Sequence, residues 1–101
     1  MVLVAPATAN VIGKIACGIA DDLLTAVVMA AANQAQIIIA PAMNTNMYEN
    51  PIVQENIEKL KGLGYKFIEP KDSHLACGTT GKGALADVDD IIAFTEGVQT
   101  K

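Results

Sequence analysis

Three short apolar runs, each closed by a proline, constrain this chain more than any other feature: VLVAP at 2–6, IIIAP at 37–41 and KFIEP at 66–70. The first two are unbroken aliphatic runs, the pattern of strands covered on both faces rather than strands with one wet face. Helical spacing fills the gaps. Ile12, Ile15, Ala16 and Ile19 fall on one helical face, as do Leu23, Leu24, Val27, Val28 and Ala31, and Gly18 stands where one helix breaks from the next. Asn50-Pro51 reads as an N-cap followed by proline in the first turn, where a missing N–H costs nothing. Val53, Ile57 and Leu60 give that helix its buried stripe, and Gly62 or Gly64 stops it. A last helix opens at Asp87, with Asp89 and Asp90 near its positive end and Val88, Ile91 and Ile92 facing inward.

Strand alternating with helix predicts right-handed crossovers in a parallel sheet, an α/β three-layer domain of the Rossmann-like (flavodoxin-like) kind. A chain of 101 residues has room for one small domain, 1–101, and with few aromatics its core must be aliphatic. Parallel strands all end on the same side. The segments after Pro6, Pro41 and Pro70 are therefore expected at the carboxyl edge, where open α/β sheets bind ligands. That places ATAN, AMNTNMY and HLACGTTGKG together, although the sequence spreads them over some seventy residues.

The charge pattern excludes several partners. The formal net charge is -4, and all seven cations are lysines. Without a basic patch, nucleic acid is not an expected partner. Cys17 and Cys77 are far apart and form no C-x-x-C pair, so neither a metal site nor a disulfide framework is expected. There is no charged-then-apolar leader and no apolar run of membrane-spanning length, so the expected partner is not a membrane and the expected location is cytoplasmic.

The first two loops carry Thr8, Asn10, Asn44, Thr45 and Asn46, with small Ala7 and Ala9. Neutral amides and hydroxyls offer donor and acceptor together and suit a neutral heteroaromatic ring. The same residue types also follow strands as turn formers and helix caps. Met43 and Met47, four apart, suit the flank of an apolar ring or the filling of a core. GTTGKG at 78–83 is not a phosphate loop: Ala76 occupies the first glycine position, and Gly83 follows Lys82 where Ser or Thr is required. Its glycines instead suggest a flexible flap at about 72–86. Cys77 lies at its root with no charged neighbour. A thiol of ordinary pKa, about 8.5, stays protonated at neutral pH and suits a general acid better than a standing nucleophile. Cys17, among apolar helical residues, reads as a buried inert thiol. His74 reads as a surface histidine, with nothing nearby to orient it.

Three motifs together resemble the homo-oligomeric flavin-containing cysteine decarboxylases. PATAN (6–10) is similar to that family's flavin-binding P-A-S-A-N-T. PAMNTNMY (41–48) is similar to its P-x-M-N-x-x-M-W, and ACGTTGKG (76–83) to its A-C-G-x-x-G-x-G substrate clamp. The third motif resembles the coenzyme A branch, the phosphopantothenoylcysteine decarboxylases. The peptide-cysteine decarboxylases of the family stop at the enethiol and lack that cysteine. The resemblance implies FMN as cofactor and 4'-phospho-N-pantothenoylcysteine as the small-molecule substrate, with 4'-phosphopantetheine as product. It also implies a homo-oligomer, a trimer or a trimer of trimers.

Carried over by position, Pro6, Ala7, Thr8, Asn10 and Met43 would hold the flavin. Asn44 would bind the substrate carboxylate beside Met47. Ala76, Cys77, Gly78 and Lys82 would close over the substrate, with Cys77 protonating in the final reduction. Asn44 and Cys77 are the implied catalytic pair, and no metal is implied. Val11 replaces the motif's last threonine, Tyr48 its tryptophan, and Ala84 stands where many members carry a basic residue. Family members are nearly twice as long, and their first half supplies a flavin-phosphate loop and a base histidine. The chain is therefore expected to be the carboxyl-terminal half of such an enzyme, poorly active alone. Two rival expectations are a peptide-cysteine oxidative decarboxylase and a non-catalytic regulatory or assembly subunit of the same fold.

Overall fold

The computed structural model describes residues 1–74 and 80–99, with the backbone alone for 72–74, 80–83 and 99. In chain order the elements are β1 (Val2–Ala7), α1 (Ala9–Cys17), α2 (Leu23–Ala31), β2 (Ile37–Pro41), α3 (Thr45–Tyr48) and α4 (Pro51–Gly62). They continue with β3 (Lys66–Phe67), β4 (Lys71–His74), β5 (Thr80–Ala84) and α5 (Val88–Gln99). Strands β1, β2 and β3 form a parallel sheet with β2 in the middle, in the register Val2–Ile37, Val4–Ile39 and Ile39–Phe67. Strands β4 and β5 form a separate antiparallel hairpin.

The sheet has a core on each face, which makes the three layers. On one face Val4, Ala7, Ile37 and Ile39 pack with Ile12 and Ala16 of α1, Val28 of α2, and Ile57 and Leu60 of α4. On the other, Ile38, Ala40 and Ile68 pack with Ala86 and with Ile91 of α5. Every residue of β2 is buried, as its aliphatic run predicts.

Strand β1 departs from that expectation. Val4 and Ala7 are buried, but Leu3 is 43% exposed and Ala5 and Pro6 are exposed too. The second-face core around α5 reaches β2 and Ile68 and includes no residue of β1.

Local signals account for most helix ends. Thr8 caps α1, its Oγ1 accepting from the Val11 N–H at 3.2 Å. At the other end Gly18 takes φ 71°, and the N–H groups of Gly18 and Ile19 bond back to Ile15 and Lys14, closing the helix as a left-handed cap. Asp22 and Thr25 form a reciprocal capping box that starts α2, and the Thr25 hydroxyl is buried within it. Asn50 caps α4 ahead of Pro51 as expected, and Gly64 turns the chain at φ 99°.

Four expectations are corrected. In α2 Val28 is buried, whereas Leu23, Leu24 and Val27 are 81%, 41% and 45% exposed. In α5 the inward stripe is Ile91, Phe94 and Val98, a continuous i, i+3, i+7 line, which turns Val88 and Ile92 outward. Cys17 is exposed rather than buried, at the last residue of α1, where the helix ends. Within KFIEP only Lys66–Phe67 is strand. The Ile68 N–H still donates to Ile39 at 2.9 Å, after which Pro70 has no N–H to offer and the chain turns into the hairpin.

Candidate functional site at the carboxyl edge

The first two loops leave the sheet side by side. Ala7 at the end of β1 lies in register with Pro41 at the end of β2, and the Ala42 N–H donates to the Ala7 carbonyl at 2.9 Å. Helix α3, which follows directly, packs against β5. The base of the hairpin is tied to the start of α5 by Lys71 Nζ and Asp87 Oδ1, 2.5 Å apart. Segments 6–10, 41–48 and 80–84 are therefore brought to one edge of the sheet, as the parallel topology requires. Ala76, Cys77 and Gly78, expected to close over the substrate, lie outside the described residues. Lys82 is placed on β5 by its backbone, and His74 ends β4, paired with Thr80. The glycine-rich segment expected as a loop is thus a two-stranded hairpin over 71–74 and 80–84.

The two meanings open for the polar loop residues prove compatible. Thr8 caps α1 through its oxygen, which leaves the hydroxyl proton to donate outward. Asn44 caps the short α3: its Oδ1 accepts from the Met47 N–H at 2.9 Å. The carboxamide NH2 of Asn44 carries two donors and has no acceptor among the described residues, so this exposed side chain presents donors only. Asn10, on the first turn of α1, and Asn46 on α3 are also exposed. Pro6 is exposed behind a cis Ala5–Pro6 bond. Ala7 is fully buried, so at this edge it acts through its backbone.

Met47 is 44% exposed at the edge, while Met43 is half-buried against the α1–α4 core with Tyr48. Met43 therefore fills the floor beneath the loop as much as it flanks a ligand.

No charged residue occurs in 6–10 or 41–48. Among the described residues, the shifted ionisable groups sit elsewhere. The Lys14 ammonium is held above its ordinary range chiefly by its hydrogen bond to Asp21. The Asp22 carboxyl is held below its range by the Thr25 backbone and then the Thr25 hydroxyl. Both belong to the last turn of α1 and the cap of α2, and they serve the helix ends. The edge itself is a shelf of neutral donors with two thioethers. That donor set fits a flat, uncharged heteroaromatic ring and a carboxylate held by amides.

Sequence reasoning missed α3 and the seating of β5 upon it. The available signal was the Asn44 cap followed by four residues before Glu49, too short a turn for helical periodicity to show.

An open parallel α/β sheet with a neutral polar rim at its carboxyl edge defines a ligand-binding domain of the doubly wound type. Comparison with known proteins narrows the class. The model of the Flavoprotein family matches residues 1–100, and this chain belongs to that family.

Among its relatives is a probable phosphopantothenoylcysteine decarboxylase of Streptococcus mutans, 54% identical over 94 residues, which cover 93% of this chain and 52% of the relative. The phosphopantothenoylcysteine decarboxylase of Mus musculus is 42% identical over 98 residues, covering 97% of this chain and 48% of the mouse protein. A solved PPC decarboxylase mutant complexed with pantothenoylaminoethenethiol superimposes with a TM-score of 0.91 at 36% identity, over 98% of this chain and 54% of that one. The FMN binding protein AtHal3 superimposes with a TM-score of 0.86 at 37% identity, also over 98% and 54%. The chain spans about half the length of these relatives.

Proposed function

We propose that this chain is the substrate-facing half of an FMN-dependent decarboxylase that converts 4'-phospho-N-pantothenoylcysteine to 4'-phosphopantetheine in coenzyme A biosynthesis. The observation that carries the reading is the Asn44 shelf. A helix-capping asparagine with only donors facing out stands beside an exposed methionine on two loops without charge, in a fold similar to a PPC decarboxylase bound to pantothenoylaminoethenethiol.

FMN, when bound, supplies a two-electron acceptor for the substrate's cysteine moiety and returns the pair at the end. Thr8 and Asn10 would donate to its polar ring edge, the Pro6–Ala7 backbone would let the ring approach, and Met43 would support it from below. Asn44 would hold the substrate carboxylate through its NH2. A neutral amide orients that group without stabilising the anion as strongly as a lysine would, which matters because the carboxylate is the group to be lost. Met47 would pack against the substrate's apolar stem. Cys77, by resemblance, would give its proton to the enethiol carbon during the final reduction, and Ala76, Gly78 and Lys82 would close the clamp. The same resemblance supports a cytoplasmic homo-oligomer.

Because the chain spans half of its relatives, the purified chain alone is expected to bind FMN weakly and to turn over little. Joined to the remaining half of the S. mutans relative, it is expected to show the flavin absorbance bands and to yield the saturated thiol. Mass spectrometry of single-turnover products decides the point. Accumulation of the enethiol instead would assign the chain to the peptide-cysteine branch. Flavin binding without any turnover would favour a regulatory subunit.

A further inference from the structure

We propose that Gln54 is a positioning residue. From the core-anchored helix α4 it braces the one-turn helix α3, and so sets the aim of the Asn44 carboxamide at the rim. The inference rests on the reading above, in which Asn44 takes the substrate carboxylate, and adds the residue that holds Asn44 in place.

Helix α3 needs outside support. It has four residues, Thr45–Tyr48, and none of them is buried. One turn fixes several backbone dihedrals in return for very few hydrogen bonds, so a helix this short does not persist in water unaided. Its first bonds are local. Asn44 Oδ1 accepts from the Met47 N–H at 2.9 Å, and the Asn44 carbonyl accepts from the Tyr48 N–H at 3.0 Å. Those bonds tie α3 to Asn44, and neither ties Asn44 to the core.

Gln54 makes that connection. Its Nε2 donates to the carbonyl of Tyr48, the last residue of α3, at 2.5 Å in a part-buried setting. A carbonyl can only accept, so the amide nitrogen of Gln54 is the end that must face it. Gln54 itself is fixed in the first turn of α4, where its N–H donates to the Asn50 carbonyl at 3.0 Å. Further along the same helix Ile57 and Leu60 are buried in the core with Ile12 and Ile39. Tyr48 also rests on that core, and β5 lies against α3. Apolar contact holds a segment close without choosing its rotation, whereas an N–H···O bond is directional. The rotation of α3 decides where the two donors of Asn44 point.

Without the bond, fewer molecules hold Asn44 in the binding-competent aim. Apparent affinity falls by that fraction, while molecules that have bound substrate react as before. The loss of one neutral, part-buried hydrogen bond corresponds to about fivefold.

Two variants remove the donor in different ways. Gln54→Glu keeps the length but sets an acceptor against an acceptor at neutral pH, and Gln54→Met keeps the length with no donor. In the chain alone, NMR should show the Met47, Tyr48 and Glu49 amides exchanging about fivefold faster in both variants. The Ile57 and Leu60 amides should be unchanged. Glu55→Met, at the exposed neighbouring position of α4, should alter neither set. In the flavin-loaded assembly both Gln54 variants should raise KM for 4'-phospho-N-pantothenoylcysteine about fivefold, with kcat and flavin absorbance nearly unchanged. A wild-type assembly that converts no substrate would remove the substrate reading, and the exchange rates would still decide the brace. Three results overturn the inference: wild-type exchange at α3 in both Gln54 variants, equal acceleration in Glu55→Met, or a fall in kcat at unchanged KM.

Discussion

The Ala42 N–H and the Ala7 carbonyl, 2.9 Å apart, lock the mouths of two loops separated by more than thirty residues of sequence. Through this bond the cap residues Thr8 and Asn44 stand on the same rim. Neither loop can move away from the other without breaking a backbone hydrogen bond at the end of the β1–β2 ladder.

Asn44 uses its oxygen for the helix and its NH2 for the solvent side, so two substitutions separate those duties. Asn44→Asp keeps an acceptor for the Met47 N–H but turns a negative charge toward the substrate carboxylate. In the flavin-loaded assembly it should lower decarboxylation by about a hundredfold or more, with the melting temperature nearly unchanged. Asn44→Ala should lose the cap as well, about 1 kcal/mol. Steady-state rates beside thermal melts check both, and an active Asp variant would remove Asn44 from the site.

Cys77 is assigned its proton-donating role by resemblance. Cys77→Ser replaces a thiol by a far weaker acid and should leave flavin absorbance intact. The enethiol should accumulate, because the final reduction lacks its proton. Product masses from single turnover decide it. Normal yield of the saturated thiol would move the acid elsewhere.

Gly13 of α1 and its C-cap Gly18 should respond in opposite directions. Gly13 lies inside the helix, and an added Cβ would meet only the Asn56 amide at 3.8 Å, an ordinary contact. Gly13→Ala should therefore stabilise by about 0.5–1 kcal/mol. Gly18 sits at φ 71°, and an added Cβ would meet only Met29 Cε at 4.0 Å, so Gly18→Ala should destabilise by about 1 kcal/mol through backbone strain. Urea titrations of both variants test the pair.

Asp22 makes α2 sensitive to acid. Its carboxyl is depressed below 3.8 chiefly by the Thr25 backbone N–H, so its stabilisation is present above the unfolded value and disappears as pH falls through the lower folded value. Asp22→Asn keeps a cap acceptor without the charge. The wild-type chain should melt higher than the variant at neutral pH, and the gap should close as pH drops below 3.8. A gap constant across that range would show that charge plays no part in the cap.

Much of this architecture was legible because its signals are local. The unbroken IIIAP run reads as a strand with both faces covered, and all five of its residues are buried. Asn50-Pro51, Gly18 and Thr8 act within one turn of themselves, so caps and breaks fell where the residues stand. Equally short-range chemistry made the rim residues visible as amides and thioethers after prolines.

Other features depended on what lies across space. Leu3 and Leu24 look as apolar as Ile38, and no property of the residues themselves says that α5 roofs β2 and leaves β1 open. The choice between the Ile91–Phe94–Val98 stripe and its neighbour was likewise made by the sheet beneath it. Thus the sequence by itself determined the three parallel strands and the longer helices, their capped ends and the neutral chemistry of the first two loops, since each follows from backbone geometry and side-chain type within a few residues. Only the tertiary structure decided which apolar faces are covered and that Thr8 and Asn44 share a rim, because burial and proximity depend on partners tens of residues away.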